Sequence, residues 1–430
     1  MRVHLKTLGC RLNEAELETW AQQLQADGHQ IVRDTHDADL VILNSCAVTQ
    51  DAVKKSRYLI RRVHRENPRA KLVVSGCYAT LNSKEVAESL GVDLVVSNAD
   101  KARLIDIARE KLALETMPSF STEPGETSLF AQGRQRAFIK VQDGCRYRCS
   151  FCIVTVARGE ERSRPVAEIV REINALHDQG VQEVVLTGVH LGGYGSDLNL
   201  RLEHLIAEVL EHTAIPRLRL GSLEPWELRD EFFELWKNPR LMPHLHLPLQ
   251  SGCDSVLRRM ARRCKTTEFA ELLEGARQTV PDINISTDII VGFPGETEAE
   301  WQESLEFIER MGFGHVHIFN YSVREGTKAA GLPNHVPEHI RRARSQALQR
   351  LVNHLKRKTL ARFLGRTFPV LWEDCKETDG RRRFFGYTPN FLRVETLADC
   401  GRGLSSRVEP ARLEAIAAGG DHLMAELVAQ

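Results

Sequence analysis

Six of the ten cysteines in this 430-residue chain fall into two sets of three whose placement suits metal binding. Cys145, Cys149 and Cys152 stand in DGCRYRCSFC, a C-x3-C-x2-C spacing. A structural zinc site wants four protein ligands, and a catalytic one usually adds His or carboxylate partners. Three thiolates alone suit an iron–sulfur cluster with one iron left open; a zinc site completed by a distant histidine is the alternative. The other set, Cys10, Cys46 and Cys77, is scattered, but each member follows an apolar run: HLKTLG, DLVILNS and KLVVSG. In open α/β sheets such strand ends line the crevice where ligands bind. The set reads as a second metal site or as three unrelated buried thiols, since free Cys is commonly buried.

The runs that position these residues define the fold class as α/β. VHLKTL, DLVILN, KLVVS and VDLVVS alternate with helical patterns over residues 1–115, the signature of a parallel sheet. A polar, proline-containing linker is expected at 116–135. From 136 to 365 the alternation resumes, with strands predicted at AFIKVQ, EVVLTG, RLRLGS, HLHLPL, INISTDIIVG and HVHIFNYS. Six such strands predict a partial (β/α)6 barrel, with the C-x3-C-x2-C loop at its mouth. Residues 366–430 change to short antiparallel strands and predict a small β-barrel.

With 42% hydrophobic and 27% charged residues, the composition is that of a soluble globular protein. No apolar run reaches the roughly 18–20 residues of a membrane span, and MRVHLKTLGC lacks the apolar core of a secretory signal. A cytoplasmic location without a membrane partner is expected. The formal net charge of zero hides an asymmetry: residues 340–366 hold nine Lys or Arg and no acid. Leu348, Val352, Leu355, Thr359 and Phe363 recur there at helical spacing, predicting an amphipathic helix with a basic outer face. Arg341, Arg344, Lys356, Lys358 and Arg362, with Arg381, Arg382 and Arg383, form a candidate RNA footprint. Phe384, Phe385 and Tyr387 are either stacking surfaces or core residues of the small barrel.

CRYRCSFC resembles the motif of the radical S-adenosylmethionine enzymes, with the aromatic Phe151 before the last cysteine. The whole chain resembles a methylthiotransferase through TLGCRLNEAE, NSCAVT, SGCYA, ARGEERSRP, LPLQSGCDSVLRRM, TDIIVGFPGETE and FNYSVREGTKAA, in family order, with a tail that fits a TRAM domain. CIVTVARG departs from that pattern in lacking a proline after the last cysteine. The resemblance implies two 4Fe-4S clusters, one at Cys145, Cys149 and Cys152, the other at Cys10, Cys46 and Cys77. It also implies S-adenosylmethionine as radical source and methyl donor, a flavodoxin- or ferredoxin-like electron donor, a sulfur source, and a tRNA anticodon stem-loop as partner. LTGVHLGGYG and TLGCRLNEAE are similar to the branch that methylthiolates C2 of N6-threonylcarbamoyladenosine. The isopentenyladenosine branch and the ribosomal-protein aspartate branch are the alternatives, and an iron–sulfur electron-transfer protein or a zinc-containing RNA binder the different classes.

Gly188 and Val189, after the second barrel strand, and Gly292 in VGFPGET are expected to contact the cofactor, or else to serve as turns, with Thr297 as a helix N-cap. Arg158, Arg162 and Arg164 suit a phosphate or carboxylate; the competing reading is surface pairing with Glu160 and Glu161. Cys253, Cys264, Cys375 and Cys400 are assigned no metal, and no catalytic residue is assigned beyond the cluster ligands.

Overall fold

In the first part of the chain, apolar runs become the strands β1 (Arg2–Thr7), β2 (Gln30–Ile31), β3 (Leu40–Ser45), β4 (Lys71–Gly76) and β5 (Leu94–Val96), of which β3 and β4 are buried on both faces. All pair in parallel, in the order β2-β1-β3-β4-β5. Alternation along β3 sends Leu40 and Ile42 into a core with Trp20, Leu24 and Leu104, while Val41 and Leu43 join Ile60, Val63 and Leu72 on the other face. The computed structural model describes residues 1–112, 136–378, 381–399 and 403–428, so the linker expected at 116–135 lies outside the described residues.

Contacts divide the chain into two compact units that do not follow the sequence in simple order. One comprises Met1–Gln132, Asp143–Glu161 and Ser322–Ala330; the other holds the remainder. The loop bearing Cys145, Cys149 and Cys152 therefore groups with the N-terminal sheet and both cysteine sets share one unit.

The second unit contains β6 (Arg136–Lys140), β9 (Glu183–Thr187), β10 (Arg217–Leu220), β11 (His244–His246), β12 (Asn284–Val291) and β13 (His315–Asn320); two-residue strands β7 (Gln142–Asp143) and β8 (Arg162–Ser163) bracket the cysteine loop. Parallel pairing gives β6-β9-β10 and β11-β12-β13, and bridges Leu218↔Leu241 and Ser222↔His246 join them into one six-stranded sheet. This is the expected partial barrel. Its strands alternate apolar residues (Ala137, Val184, Leu218, Leu245, Ile285) with polar ones (Arg136, Glu183, Arg217, His244, Asn284), and the polar set lines the inner face.

The expected small barrel is present and closed: β14 (Thr367–Thr378), β15 (Arg381–Tyr387), β16 (Arg393–Asp399), β17 (Val408–Ile416) and β18 (Leu423–Leu427) run in the order β14-β15-β16-β18-β17, with β17 pairing back onto β14. Closure removes exposed edges. Its core holds Trp372, Phe384, Val394 and Leu413, joined by Leu360 and Phe363 from the end of the basic helix region.

That small barrel also closes the base of the larger one. Glu183 is fully buried among Arg136, Arg217 and Arg219, at 2.7, 2.8 and 2.9 Å. Burial alone would raise its pKa, but the three guanidiniums override it and hold the carboxyl well below its usual range. Arg217 donates onward to the carbonyls of Pro369, Tyr387 and Thr388. The Phe391 ring lies 4.7 Å from Arg219, 5.0 Å from Arg136 and 4.6 Å from Tyr387, on which it stacks.

Candidate active site

Cys10, Cys46 and Cys77 stand just beyond the C-terminal ends of β1, β3 and β4, three neighbouring strands. The order changes direction between β1 and β3, which places Cys10 and Cys46 at the switch point where such sheets bind ligands. Two glycines bring the loops together. A Cβ on Gly9 would lie 2.8 Å from Cys46 Sγ, and one on Gly76 would lie 2.1 Å from the Ser45 carbonyl oxygen. Gly76 also has φ +97°, a conformation that a side chain disfavours. Cys46 and Cys77 are buried and Cys10 is exposed. Burial pushes the Cys46 thiol up to about 11, and the neighbouring Cys77 and Cys10 add to the rise. A buried Cys46 flanked by Cys77 and by the solvent-facing Cys10 fits a thiolate ligand set.

A buried polar network surrounds this set and was not visible in the sequence. Arg158, almost wholly buried, donates to Glu16 and Asp143 at 3.0 Å each and to Asn13 Oδ1 at 2.8 Å. Lys101 Nζ pairs with the other Glu16 oxygen at 2.5 Å. Burial works against the Arg158 charge, but Glu16 and Asp143 outweigh it and raise its pKa well above the usual value. Asn98 donates to the Ala157 carbonyl at 2.8 Å and lies 3.8 Å from Cys77 Sγ; Asn13 Oδ1 lies 3.8 Å from Cys10 Sγ. Arg158 thus ties the segment after Cys152 to the helix Arg11–Ala26 that starts after Cys10. Arg324 joins the same unit by donating to the Val48 and Ala47 carbonyls.

Cys145, Cys149 and Cys152 are partly exposed within one short loop, with Cys152 N–H on the Cys149 carbonyl at 3.0 Å. Cys145 N–H donates to the Gly159 carbonyl at 3.1 Å, and Thr155 Oγ1 to the Tyr147 carbonyl at 2.9 Å. Partly exposed thiols in a loop held by backbone bonds fit a thiolate ligand set. Phe151, between them, is half-buried.

Glu161 pairs with Arg146 at 3.2 Å and Glu160 with Arg148 at 3.4 Å, both from the cysteine loop. Arg164 pairs with Glu172 at 2.7 Å and donates to the Lys140 carbonyl; Arg162 is exposed. Gly188 and Gly292 each have a structural duty. A Cβ on Gly188 would meet Gln142 Oε1 at 2.8 Å, and one on Gly292, at φ +74°, would meet Arg341 Cγ at 2.3 Å. Val189 is half-buried, and Thr297 caps the helix Glu298–Met311 as expected. Cys253 and Cys264 are buried; the side chains of Cys375 and Arg381, and Cys400 altogether, lie outside the described residues.

The basic segment forms the helix Glu338–Ala361, with Leu348, Val352, Leu355 and Thr359 buried. Its acid-free sequence is not an unpaired face. Arg344 is buried against Glu296 and Glu298 at 2.8 and 3.0 Å, and Arg341 packs on Gly292 and donates to the Tyr321 carbonyl. Lys356 is half-buried, while Lys358 and Arg362 are exposed. Arg382 is half-buried, and Arg383 pairs with Glu395 at 3.2 Å. Phe384 is a core residue, Tyr387 stacks on Phe391, and Phe385 lies under Arg393 at 4.7 Å. Among the described residues no helix is long and apolar enough to cross a membrane.

A last polar cluster lies on the inner face of β11, β12 and β13. His246 Nε2 is 3.2 Å from Asp288 Oδ1, its Nδ1 is 2.9 Å from Ser286 Oγ, and its ring centroid is 5.4 Å from that of His317. The alternating HLH and HVH of the strands were the available signal, since period-two polar residues inside buried runs must share a face.

Residues 2–97 match a family described as uncharacterized protein family UPF0004, and residues 139–308 match the radical SAM superfamily. The threonylcarbamoyladenosine tRNA methylthiotransferase MtaB of Bacillus subtilis (strain 168) is 35% identical, over 91% of this chain and 89% of its own. A tRNA-2-methylthio-N(6)-dimethylallyladenosine synthase of Cereibacter sphaeroides (strain ATCC 17029) is 35% identical, over 88% and 89%. Among solved structures, the radical S-adenosylmethionine methyltransferase TsrM of Kitasatospora setae, with cobalamin and a [4Fe-4S] cluster bound, superposes with a TM-score of 0.59 at 15% identity, covering 76% of this chain and 77% of that one. The last is a likeness of fold.

Proposed function

Because the chain belongs to the radical S-adenosylmethionine methylthiotransferase family, we propose that this enzyme methylthiolates C2 of N6-threonylcarbamoyladenosine beside the anticodon of a tRNA. The observation that carries the reading is the pair of three-cysteine sets within one compact unit. Membership in the family brings an iron–sulfur cluster and S-adenosylmethionine, with Cys145, Cys149 and Cys152 as the ligands proposed for the cluster. When bound, that pair supplies a carbon-centred radical, which suits an adenine C2–H too weakly acidic for any side-chain base. A second cluster at Cys10, Cys46 and Cys77, as the place of sulfur delivery, is part of the proposal. One set serves radical chemistry; two serve sulfur insertion.

The surrounding residues have matching duties in this reading. Arg158 lies in the field of Cys10 and Cys77 and ties their loops together through Glu16 and Asp143, and a second S-adenosylmethionine provides the methyl group. Exposed Lys358 and Arg362, with Arg382, offer phosphate contacts to the stem-loop, and an unpaired loop base is cheaply extruded. Electrons come from an external flavodoxin- or ferredoxin-like protein. The threonylcarbamoyl assignment draws on the Bacillus subtilis relative.

Mass spectrometry of tRNA nucleosides from cells with and without the gene tests the reading. The 2-methylthio derivative of N6-threonylcarbamoyladenosine disappears on deletion and returns with the wild-type gene, but not with Cys145→Ala or Cys46→Ala. An unchanged level overturns the substrate; loss of the dimethylallyl derivative instead moves the enzyme to the other branch.

A further inference from the structure

The inner face of the six-stranded sheet changes character along its length. At the base, Glu183 and its three arginines are taken up with one another and with barrel carbonyls, and are covered by Tyr387 and Phe391. Access is therefore from the C-terminal ends of the strands, where such barrels place their chemistry. On that side, above the sealed base, lie His246, Ser286, Asp288, His315 and His317. Strand register places them side by side, with His246 opposite Ser286, Ser286 opposite His315, and Asp288 opposite His317. His317 is exposed, and His246 and Asp288 are half-buried. The Ser286 hydroxyl at Nδ1 fixes the His246 ring and directs Nε2 toward Asp288. The His315 and His317 rings meet edge to face at 4.5 Å, which restrains the exposed one.

We propose that His246, Asp288 and His317 receive the threonylcarbamoyl substituent of the target adenosine and set the preference for it; this rests on the function proposed above. The chemistry matches group by group. The substituent carries urea N–H groups and a hydroxyl that the Asp288 carboxylate, oriented by His246, accepts from, and carboxylate and carbonyl oxygens that the His317 imidazole N–H donates to. A dimethylallyl group, a hydrocarbon, would desolvate Asp288 and His317 and offer them no hydrogen bond, leaving Asp288 only its pair with His246. A site built to hydrogen-bond a substituent rejects the analogue lacking those groups more strongly than an apolar pocket rejects a polar one. The cluster is thus a specificity element, distinct from the cysteines that carry the reaction.

The test uses the reconstituted enzyme and three anticodon stem-loop hairpins that differ at one adenosine: N6-threonylcarbamoyl, N6-dimethylallyl or unmodified. Methylthiolation rates are measured with each, and hairpin affinity by fluorescence anisotropy. The wild type converts the threonylcarbamoyl hairpin and binds it more tightly than the unmodified one. His317→Leu raises KM for that hairpin about ten-fold or more with kcat changed far less, and brings the two affinities together. Asp288→Asn, which keeps shape, does the same to a smaller degree, and His317→Gln partly restores the preference. Circular dichroism and iron content matching wild type show that each variant is folded and loaded. If the wild type leaves the threonylcarbamoyl hairpin untouched, both this inference and the proposed function fall. If it converts that hairpin, and His317→Leu and Asp288→Asn move neither KM nor the affinity ratio, only this inference is overturned.

Discussion

At the scale of single residues, buried charge decides more than exposed charge. Arg158 satisfies Glu16, Asp143 and Asn13 at once, so Arg158→Ala takes the guanidinium from buried Asp143 and from one oxygen of Glu16, whose other oxygen keeps Lys101. Breaking a buried pair from one side costs about 3–5 kcal/mol. We expect a corresponding fall in thermal stability, partly restored by Arg158→Lys and not by Arg158→Met. Glu296 makes a prediction of opposite character. Burial pushes its carboxyl up to about 7 from an ordinary 4.5, although the Gly292 N–H and Arg344 oppose the shift. Between those values the folded chain holds a proton that the unfolded chain has lost, so this group's contribution to stability falls as pH rises through the window. The slope is at most about 1.4 kcal/mol per pH unit. Melting temperatures from pH 5 to 7 should decline less steeply in Glu296→Gln than in wild type.

At the scale of elements, turns at strand ends hold the chemistry. Gly76 ends β4 and precedes Cys77, and its φ of +97° leaves no room for a Cβ 2.1 Å from the Ser45 carbonyl oxygen. If both sets hold clusters as proposed, Gly76→Ala lowers the iron bound by the N-terminal set and broadens its spectroscopic signature, while leaving iron at Cys145, Cys149 and Cys152 near wild type; iron analysis with Mössbauer spectroscopy checks both. The strands themselves were legible in the sequence, because β-branched and leucine-rich runs such as DLVILNS allow little else. The cysteine sets were legible from spacing and from their place at strand ends. Arg158 and Arg344 were not: an arginine in a polar motif reads as a surface residue until the chain brings distant acids to it. The partners of Arg344, Glu296 and Glu298, lie outside the acid-free segment, so no local count could have found them.

At the scale of the whole molecule, the small C-terminal barrel is part of the structure of the larger one, beyond any contact with RNA. A chain ending at residue 366 deprives Arg217 of its carbonyl acceptors on Pro369, Tyr387 and Thr388, and Arg136 of Glu373. Such a chain should be insoluble, or melt at least about 10 °C lower than the full-length enzyme, where a detachable RNA-binding module would have left stability unchanged. Expression followed by a thermal melt separates the two.

The Tyr387–Phe391 seal has a consequence in time. A ribosome releases the chain from its N-terminus, at about 5–20 residues per second, so Glu183 and its three arginines emerge long before Phe391 does. Until then the base of the larger barrel stays open to water, and Arg324 must likewise emerge before it can meet Ala47 and Val48. Neither compact unit can be finished while synthesis is halfway through. Nascent chains stalled before residue 391 should be digested by protease within the β6–β13 region and resist once the last strands are out. The order of birth thus leaves both cysteine sets in an unfinished protein, and in the proposed reading cluster insertion is expected to follow release.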